Sequence, residues 1–392
     1  MLAIRRPRLG NRARLARAAT IWDLRAIGDR RTPTAVFDYV DGGAEAEITL
    51  VRSRDDFRRV EFHPAVLNDV SEVDMSTTVL GAPSSMPFGL APTGFTRMMH
   101  HEGEKAVARA ASAAGLVYCL STLGTTSAPA VAKAAPDGNL WFQLYLPKDR
   151  GLGLELIAAA YDSGFSAMVL TMDTAVPGIR LRDVRNGLTF PPALSLRALA
   201  GMAAHPRWWF EALTREPLGF ASFKEQSGSV PELLSQLWDP TLSSRDVEWV
   251  RSQWNRPLVL KGIQRLEDAR AAFDLGADGI VLSNHGGRQL DRAVTSLGLL
   301  RPVVMELGDR GEVYMDGGIT SGADVVAAIA LGARHCFVGR AYLYGLMAGG
   351  EAGVERAITI LGDEIRRTMQ LLGAKRISDL APHLVSTRAA SD

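Results

Sequence analysis

Nine consecutive residues concentrate unusual chemistry: Ser283-Asn284-His285-Gly286-Gly287-Arg288-Gln289-Leu290-Asp291. A histidine just past an apolar run can act as a general base, and glycines beside it let a substrate approach the main chain. Arg288, three residues further on, offers a planar pair of N–H donors that matches a carboxylate. The plainer alternative for this stretch alone is a capping histidine followed by a solvated arginine. Two other stretches suggest phosphate. Asp316-Gly317-Gly318-Ile319 and Gly339-Arg340 each follow an apolar run, and turns of this kind aim main-chain N–H groups of a helix start at an anion. A phosphorylated cofactor or substrate is expected.

These residues need a frame. Short apolar runs at 88–92, 117–121, 141–145, 167–173, 258–261, 279–283, 313–316 and 335–339 alternate with amphipathic stretches of helical length. The runs are continuously apolar rather than alternating, as in parallel strands buried on both faces. Gly115, Gly164, Gly276 and Gly332 each close a helical stretch just before a run, where glycine supplies the left-handed cap. The pattern predicts an α/β fold, a (β/α)8 TIM barrel. An open doubly wound sheet fits less well, and no Gly-x-Gly-x-x-Gly follows a strand, which argues against a nicotinamide site. In such a barrel the active site lies where the strands end. Polar or loop-forming residues stand at those ends: Thr93, Ser121, Gln143, Tyr145, Thr171, Asp173, Lys261, Ser283, His285, Asp316, Gly339 and Arg340.

Composition narrows the class. The 392 residues carry a net charge of +1, which disfavours a nucleic-acid binder. Two cysteines exclude a disulfide framework or a cysteine-rich metal site. No apolar run is long enough to span a membrane. Residues 1–20 contain Arg5, Arg6, Arg8, Arg12, Arg14 and Arg17 before the first acid, Asp23. They are expected to form a basic, flexible arm, able to touch anionic lipid or to serve as a transit peptide. Residues 21–383 form the barrel unit, of which 21–86 supply helices and a hairpin closing one end, and 384–392 a tail. An insertion of about 174–243 interrupts the rhythm with Pro191-Pro192, Pro206, Pro217, Pro231 and Pro240, and with Trp208-Trp209-Phe210. It is expected over the barrel mouth as lid, interface or docking surface, its aromatic triplet used mainly for packing. His100-His101 with Glu102 and Glu104 looks metal-like, but adjacent histidines at a helix start point apart, and no metal is expected.

From about Asp23 to His383 the chain resembles the FMN-dependent α-hydroxy-acid dehydrogenases and oxidases, most of all the bacterial L-lactate dehydrogenases that feed the respiratory chain. The string from Ser283 to Asp291 is highly specific for them. Phe37-Asp38-Tyr39, Ala91-Pro92-Thr93-Gly94, Phe142-Gln143-Leu144-Tyr145, Val259-Leu260-Lys261-Gly262 and Asp316-Gly317-Gly318 add to it. The resemblance implies FMN as cofactor and a small L-2-hydroxy acid, L-lactate first, as substrate. It implies His285 as base, Asp173 as the acid that orients it, and Tyr145 at the substrate. Tyr39, Arg180 and Arg288 would hold the carboxylate. Thr93, Gly94, Ser121, Gln143, Thr171, Lys261, Ser283 and Asp316 would contact the flavin, and Gly318, Gly339 and Arg340 its phosphate.

A quinone or cytochrome acceptor, a homotetramer and a cytoplasmic location, peripheral on the inner face of the membrane, also follow from the resemblance. The alternatives are a hydrogen-peroxide-forming oxidase and an FMN- or phosphate-binding barrel isomerase; Gly94, where oxygen-reactive relatives often carry alanine, tilts towards dehydrogenase. Two departures stand out. Thr320 and Ser321 occupy places where many relatives carry arginine, which puts the phosphate grip in doubt. Leu123 stands where glycolate oxidases often carry tryptophan.

Overall fold

In the computed structural model the eight expected runs close into one parallel barrel. Its strands are β1 (Phe88–Leu90), β2 (Tyr118–Ser121), β3 (Leu140–Leu144), β4 (Ala167–Thr171), β5 (Leu258–Ile263), β6 (Gly279–Leu282), β7 (Glu312–Asp316) and β8 (His335–Val338). They follow one another round the barrel in chain order, with β8 pairing back onto β1. The structure describes residues 10–187, 203, 205–214, 218–221 and 237–388.

Continuous apolarity has its expected cause. One face of each strand packs inward on Val117, Cys119, Trp141, Val169, Val259, Val281, Tyr314 and Phe337, and the other packs outward on the helices. The β-hairpin of Thr77–Val79 and Ala82–Ser84 plugs the N-terminal end, where Val79 is fully buried against the inner cluster. The segment before the barrel therefore serves both ends: its helices Thr34–Asp41 and Ile48–Arg58 lie at the opposite mouth, next to loops from β6 and β8.

Three expectations change. The arm is not flexible throughout 1–20. Asn11–Leu15 form a helix, Leu15 is buried, and Arg356 donates to the Ala18 carbonyl at 2.7 Å. An apolar Leu15 among the arginines is enough to anchor this turn on the barrel's last helices. Residues 1–9, with Arg5, Arg6 and Arg8, lie outside the described residues, as do Pro191, Pro192, Pro217 and Pro231. Nor is the C-terminus merely a tail, since Val385–Thr387 pairs antiparallel with Val60–Phe62. Finally, the His100 and His101 rings do not point apart but lie 4.5 Å apart. The backbone at His100 is extended, between the helices Thr96–Met99 and Gly103–Ala113, so helical spacing does not apply. Among the described residues, no group of three or more His, Cys, Asp or Glu is placed to hold a metal.

The insertion returns over the mouth. Phe220 is buried against Phe95, with ring centroids 4.6 Å apart, and Ala221 donates to the Gly124 carbonyl. The aromatic triplet divides: Trp208 donates its indole N–H to the Met98 carbonyl at 2.9 Å, whereas Phe210 stays exposed.

Candidate active site

Because the strands run in chain order, polar residues at successive ends become neighbours. Ser121 and Gln143 are register partners on β2 and β3, and Thr171 and Lys261 on β4 and β5. Their side chains form two hydrogen-bonded groups. Ser121 Oγ donates to Gln143 Oε1 at 2.9 Å, and Gln143 Nε2 donates to Thr171 Oγ1 at 3.0 Å. Lys261 Nζ donates to Ser283 Oγ at 2.8 Å and sits 3.0 Å from Asp316 Oδ2. Burial alone would lower the Lys261 pKa, but Asp316 and Asp173 outweigh it and raise it. The result is a fixed, buried cation at the centre of the mouth.

Beside it stands a three-residue proton chain. Tyr145 Oη is 3.3 Å from His285 Nε2, and His285 Nδ1 is 3.3 Å from Asp173 Oδ1. Burial would raise the Asp173 carboxyl, but His285 and Lys261 hold it below its ordinary value. Burial pushes the Tyr145 phenol well up, with Asp173 adding to it, so it stays protonated. Two backbone features aim this chain. His285 has a left-handed backbone, φ 57°, a conformation that costs a non-glycine residue about 1–2 kcal/mol; its N–H donates to Ser283 Oγ at 3.1 Å. Gly262, at φ 100° in a register shift of β5, leaves room for Asp173: a Cβ there would lie 2.6 Å from the carboxyl carbon.

The opposite wall is cationic. Arg288 and Arg180 both lie over the Tyr39 ring, at 4.9 and 5.7 Å. Arg180 is tied to Asp183 at 2.6 Å, while Arg288 donates to the carbonyls of Tyr39 and Gly42. Burial and then the Arg180 charge lower the Arg288 pKa. Two guanidiniums enclosed together favour an incoming anion. Thr93 bonds Tyr342, and Gly94 faces Leu123, where a Cβ on residue 94 would lie 2.8 Å from Leu123 Cβ. Gly94 and the departure at Leu123 are thus packed against each other.

Tyr39, Thr93, Gly94, Ser121, Tyr145, Arg180, Lys261, His285, Arg288 and Asp316 line one cavity of about 600 Å³, whose far end is formed by Gly317, Gly318, Gly339 and Arg340; of the expected flavin contacts, Gln143, Thr171 and Ser283 do not line it, and neither does Asp173. That end differs from expectation in detail. Arg340 spends its nitrogens on the carbonyls of Val40, Gly286 and Gly42 at 2.7–2.9 Å, so it ties the N-terminal segment to loops six and eight. Sequence reasoning missed Arg54, which lines the same end; it lies on a helix before the barrel, where no strand end marks it. It also missed Asp291 as a structural anchor, whose carboxylate accepts the N–H groups of Ala46, Ile48 and Thr49.

A buried cation at the strand ends, a cavity of this volume and an open glycine-lined end fit an FMN. Asp316 Oδ1 and Arg54 Nη2 are buried there without a hydrogen-bond partner among the described residues, as groups awaiting a polar ligand would be.

Comparison with known proteins agrees. Residues 28–387 match the FMN-dependent dehydrogenase family, and the chain belongs to that family; it is a flavoprotein oxidoreductase with FMN as cofactor. It is 54% identical over 387 residues to a Mycobacterium tuberculosis protein provisionally named an L-lactate dehydrogenase, covering 98% of this chain and 94% of that one. It is 41% identical over 373 residues to the L-lactate dehydrogenase of Caulobacter vibrioides, covering 93% and 97%. Among solved structures it resembles the monotopic membrane protein (S)-mandelate dehydrogenase, with a TM-score of 0.91, 36% identity, and coverage of 95% of this chain and 100% of the other.

Proposed function

We propose that the protein oxidises L-lactate, or a similarly small L-2-hydroxy acid, to the 2-oxo acid and passes the electrons to a quinone or cytochrome. The observation that carries this reading is the pair Arg180 and Arg288 over Tyr39, enclosed in one cavity with Tyr145 and with His285, whose other nitrogen faces Asp173. The two guanidiniums hold the substrate carboxylate, Arg288 by a planar two-donor contact. Tyr145 donates to the hydroxyl or carboxylate. His285 Nε2 takes a proton as the C–H and O–H bonds become C=O, and its Nδ1–H is held by ionised Asp173, which stabilises the imidazolium. FMN, when bound, would accept the two electrons and the second proton, and Lys261, Thr93, Gly94, Ser121, Gln143, Thr171, Ser283 and Asp316 would hold its ring system. Lys261 offers fixed positive charge where negative charge develops.

The names of the bacterial relatives support lactate; that of the structural neighbour supports a larger aryl substrate. Anaerobic mixing with L-lactate, (S)-mandelate and glycolate, followed by flavin absorbance, separates these. L-lactate should bleach the flavin fastest. No bleaching by any of them would overturn the reading. Reoxidation should be slow in air and fast with a quinone; rapid peroxide formation in air would replace the dehydrogenase with an oxidase.

A place at the inner face of the cell membrane, from the cytoplasmic side, fits this acceptor. No helix of the described residues is long and apolar enough to cross a membrane, but Val176, Ile179, Val184 and Leu290 are exposed around the mouth, with Phe210 on the insertion. Apolar side chains of this kind bury at a lipid interface. Assembly as a homotetramer rests on family resemblance alone.

A further inference from the structure

The phosphate end of the cavity lacks a cation in the expected place. The loop after β7 reads Asp316-Gly317-Gly318-Ile319-Thr320-Ser321, and its helix start is already closed by carboxylates. Asp324 accepts the N–H groups of Thr320 and Ser321 at 2.8 and 2.9 Å, and Glu364 accepts that of Gly322 at 2.7 Å. Arg340 is committed to three carbonyls. What remains is Arg54. It lines the cavity alongside Gly318 and Thr320, and its Nη2 is buried. It makes no hydrogen bond or ion pair among the described residues, and its guanidinium lies 5.1 Å from the Trp22 ring.

Its position is rigid. The helix Ile48–Arg58 is anchored at its start by Asp291. One residue before Arg54, the Ser53 carbonyl touches loop seven so closely that a Cβ on Gly318 would lie 2.3 Å from it. Gly318 at φ 82° permits this approach, which brings the helix carrying Arg54 against the loop that lacks its own arginine.

We propose that Arg54, from the helix preceding the barrel, is the cation that grips the FMN phosphate in this protein, in place of an arginine at position 320. The proposal rests on the phosphate lying at the ends of β7 and β8. A charge-assisted bond to phosphate corresponds to about a 10- to 100-fold difference in affinity, and riboflavin, which lacks the phosphate, should not feel it.

The test is flavin exchange. Holoenzyme is equilibrated with mixtures of FMN and excess riboflavin, and the bound flavins are released and separated by chromatography. Arg54→Gln should lower the preference for FMN over riboflavin about 10- to 100-fold, Arg54→Lys should lower it less, and adding Thr320→Arg to Arg54→Gln should restore it. An unchanged preference in Arg54→Gln, or equal loss of both flavins, would overturn the assignment. If Arg54→Gln is insoluble, Arg54→Lys decides, and a native preference there overturns it. Should Thr320→Arg alone raise the preference while Arg54→Gln leaves it untouched, only Arg54 is wrong. A native enzyme that does not prefer FMN at all would remove the phosphate site itself.

Discussion

His335 and His285 stand at opposite ends of the same barrel. His335 begins β8 at the N-terminal end; it is fully buried, and neither ring nitrogen has a hydrogen-bond partner among the described residues. It lies edge-on to Phe337 and Tyr314, and burial, with Arg334 nearby, pushes its pKa down to about 3. His285, past the end of β6, has Tyr145 at one nitrogen and Asp173 at the other. Lys261 and Asp316 are as deeply buried, yet they face each other as a pair. Depth of burial therefore does not decide which end carries charge. Partners do: an isolated group in the interior gives up its charge, while one paired and hydrogen-bonded keeps it.

The sharpest way to break this comparison is to exchange the roles by mutation. His285→Ala should slow anaerobic flavin reduction about 10²- to 10⁴-fold at saturating substrate, with FMN still bound. His335→Leu should leave the rate near native. A native rate in His285→Ala would make the two histidines equivalent and remove the base.

Asp173→Asn comes next, slowing reduction by about 10²-fold or more, because the imidazolium loses its ionised partner. Stopped-flow absorbance measures it, and a loss below about threefold would reduce Asp173 to a spacer.

Arg288→Lys keeps the charge but not the two-donor plane. About a 10-fold combined loss in KM and rate is expected, because the carboxylate loses its planar contact. Unchanged kinetics with L-lactate would place the carboxylate elsewhere.

The smallest effect on activity belongs to the N-terminal end and appears only in stability. The folded-state pKa of His335 lies below its unfolded value near 6.5, so the unfolded chain binds the extra proton first. Its contribution is complete above about pH 6.5 and is lost as pH falls towards 3, up to about 5 kcal/mol. Urea midpoints across this range should fall less steeply in His335→Leu than in the native protein. Identical slopes would mean that His335 finds a partner as it protonates.

Much of this protein was determined by local sequence. Each strand is an apolar run with a polar end, and four of the eight follow a helix-closing glycine; these signals sit within a few residues of the backbone they shape. That is why all eight strands, and the Ser283–Asp291 string that follows β6, could be read directly. The order of strands round the barrel then made neighbours of Ser121, Gln143, Thr171 and Lys261 without further information. What only the tertiary structure decided lies in contacts between residues more than 200 positions apart. Arg54 reaches the glycine-lined end of the cavity because Asp291 and Gly318 fix its helix there. Arg340 turns to the carbonyls of Val40 and Gly42 because the N-terminal segment folds over loop eight. Leu15 and Val385 dock where a flexible arm and a tail were expected, each burying an apolar side chain against a surface formed by other elements. Apolar spacing specifies that a segment will bury a face; the partner surface exists only once the barrel has closed.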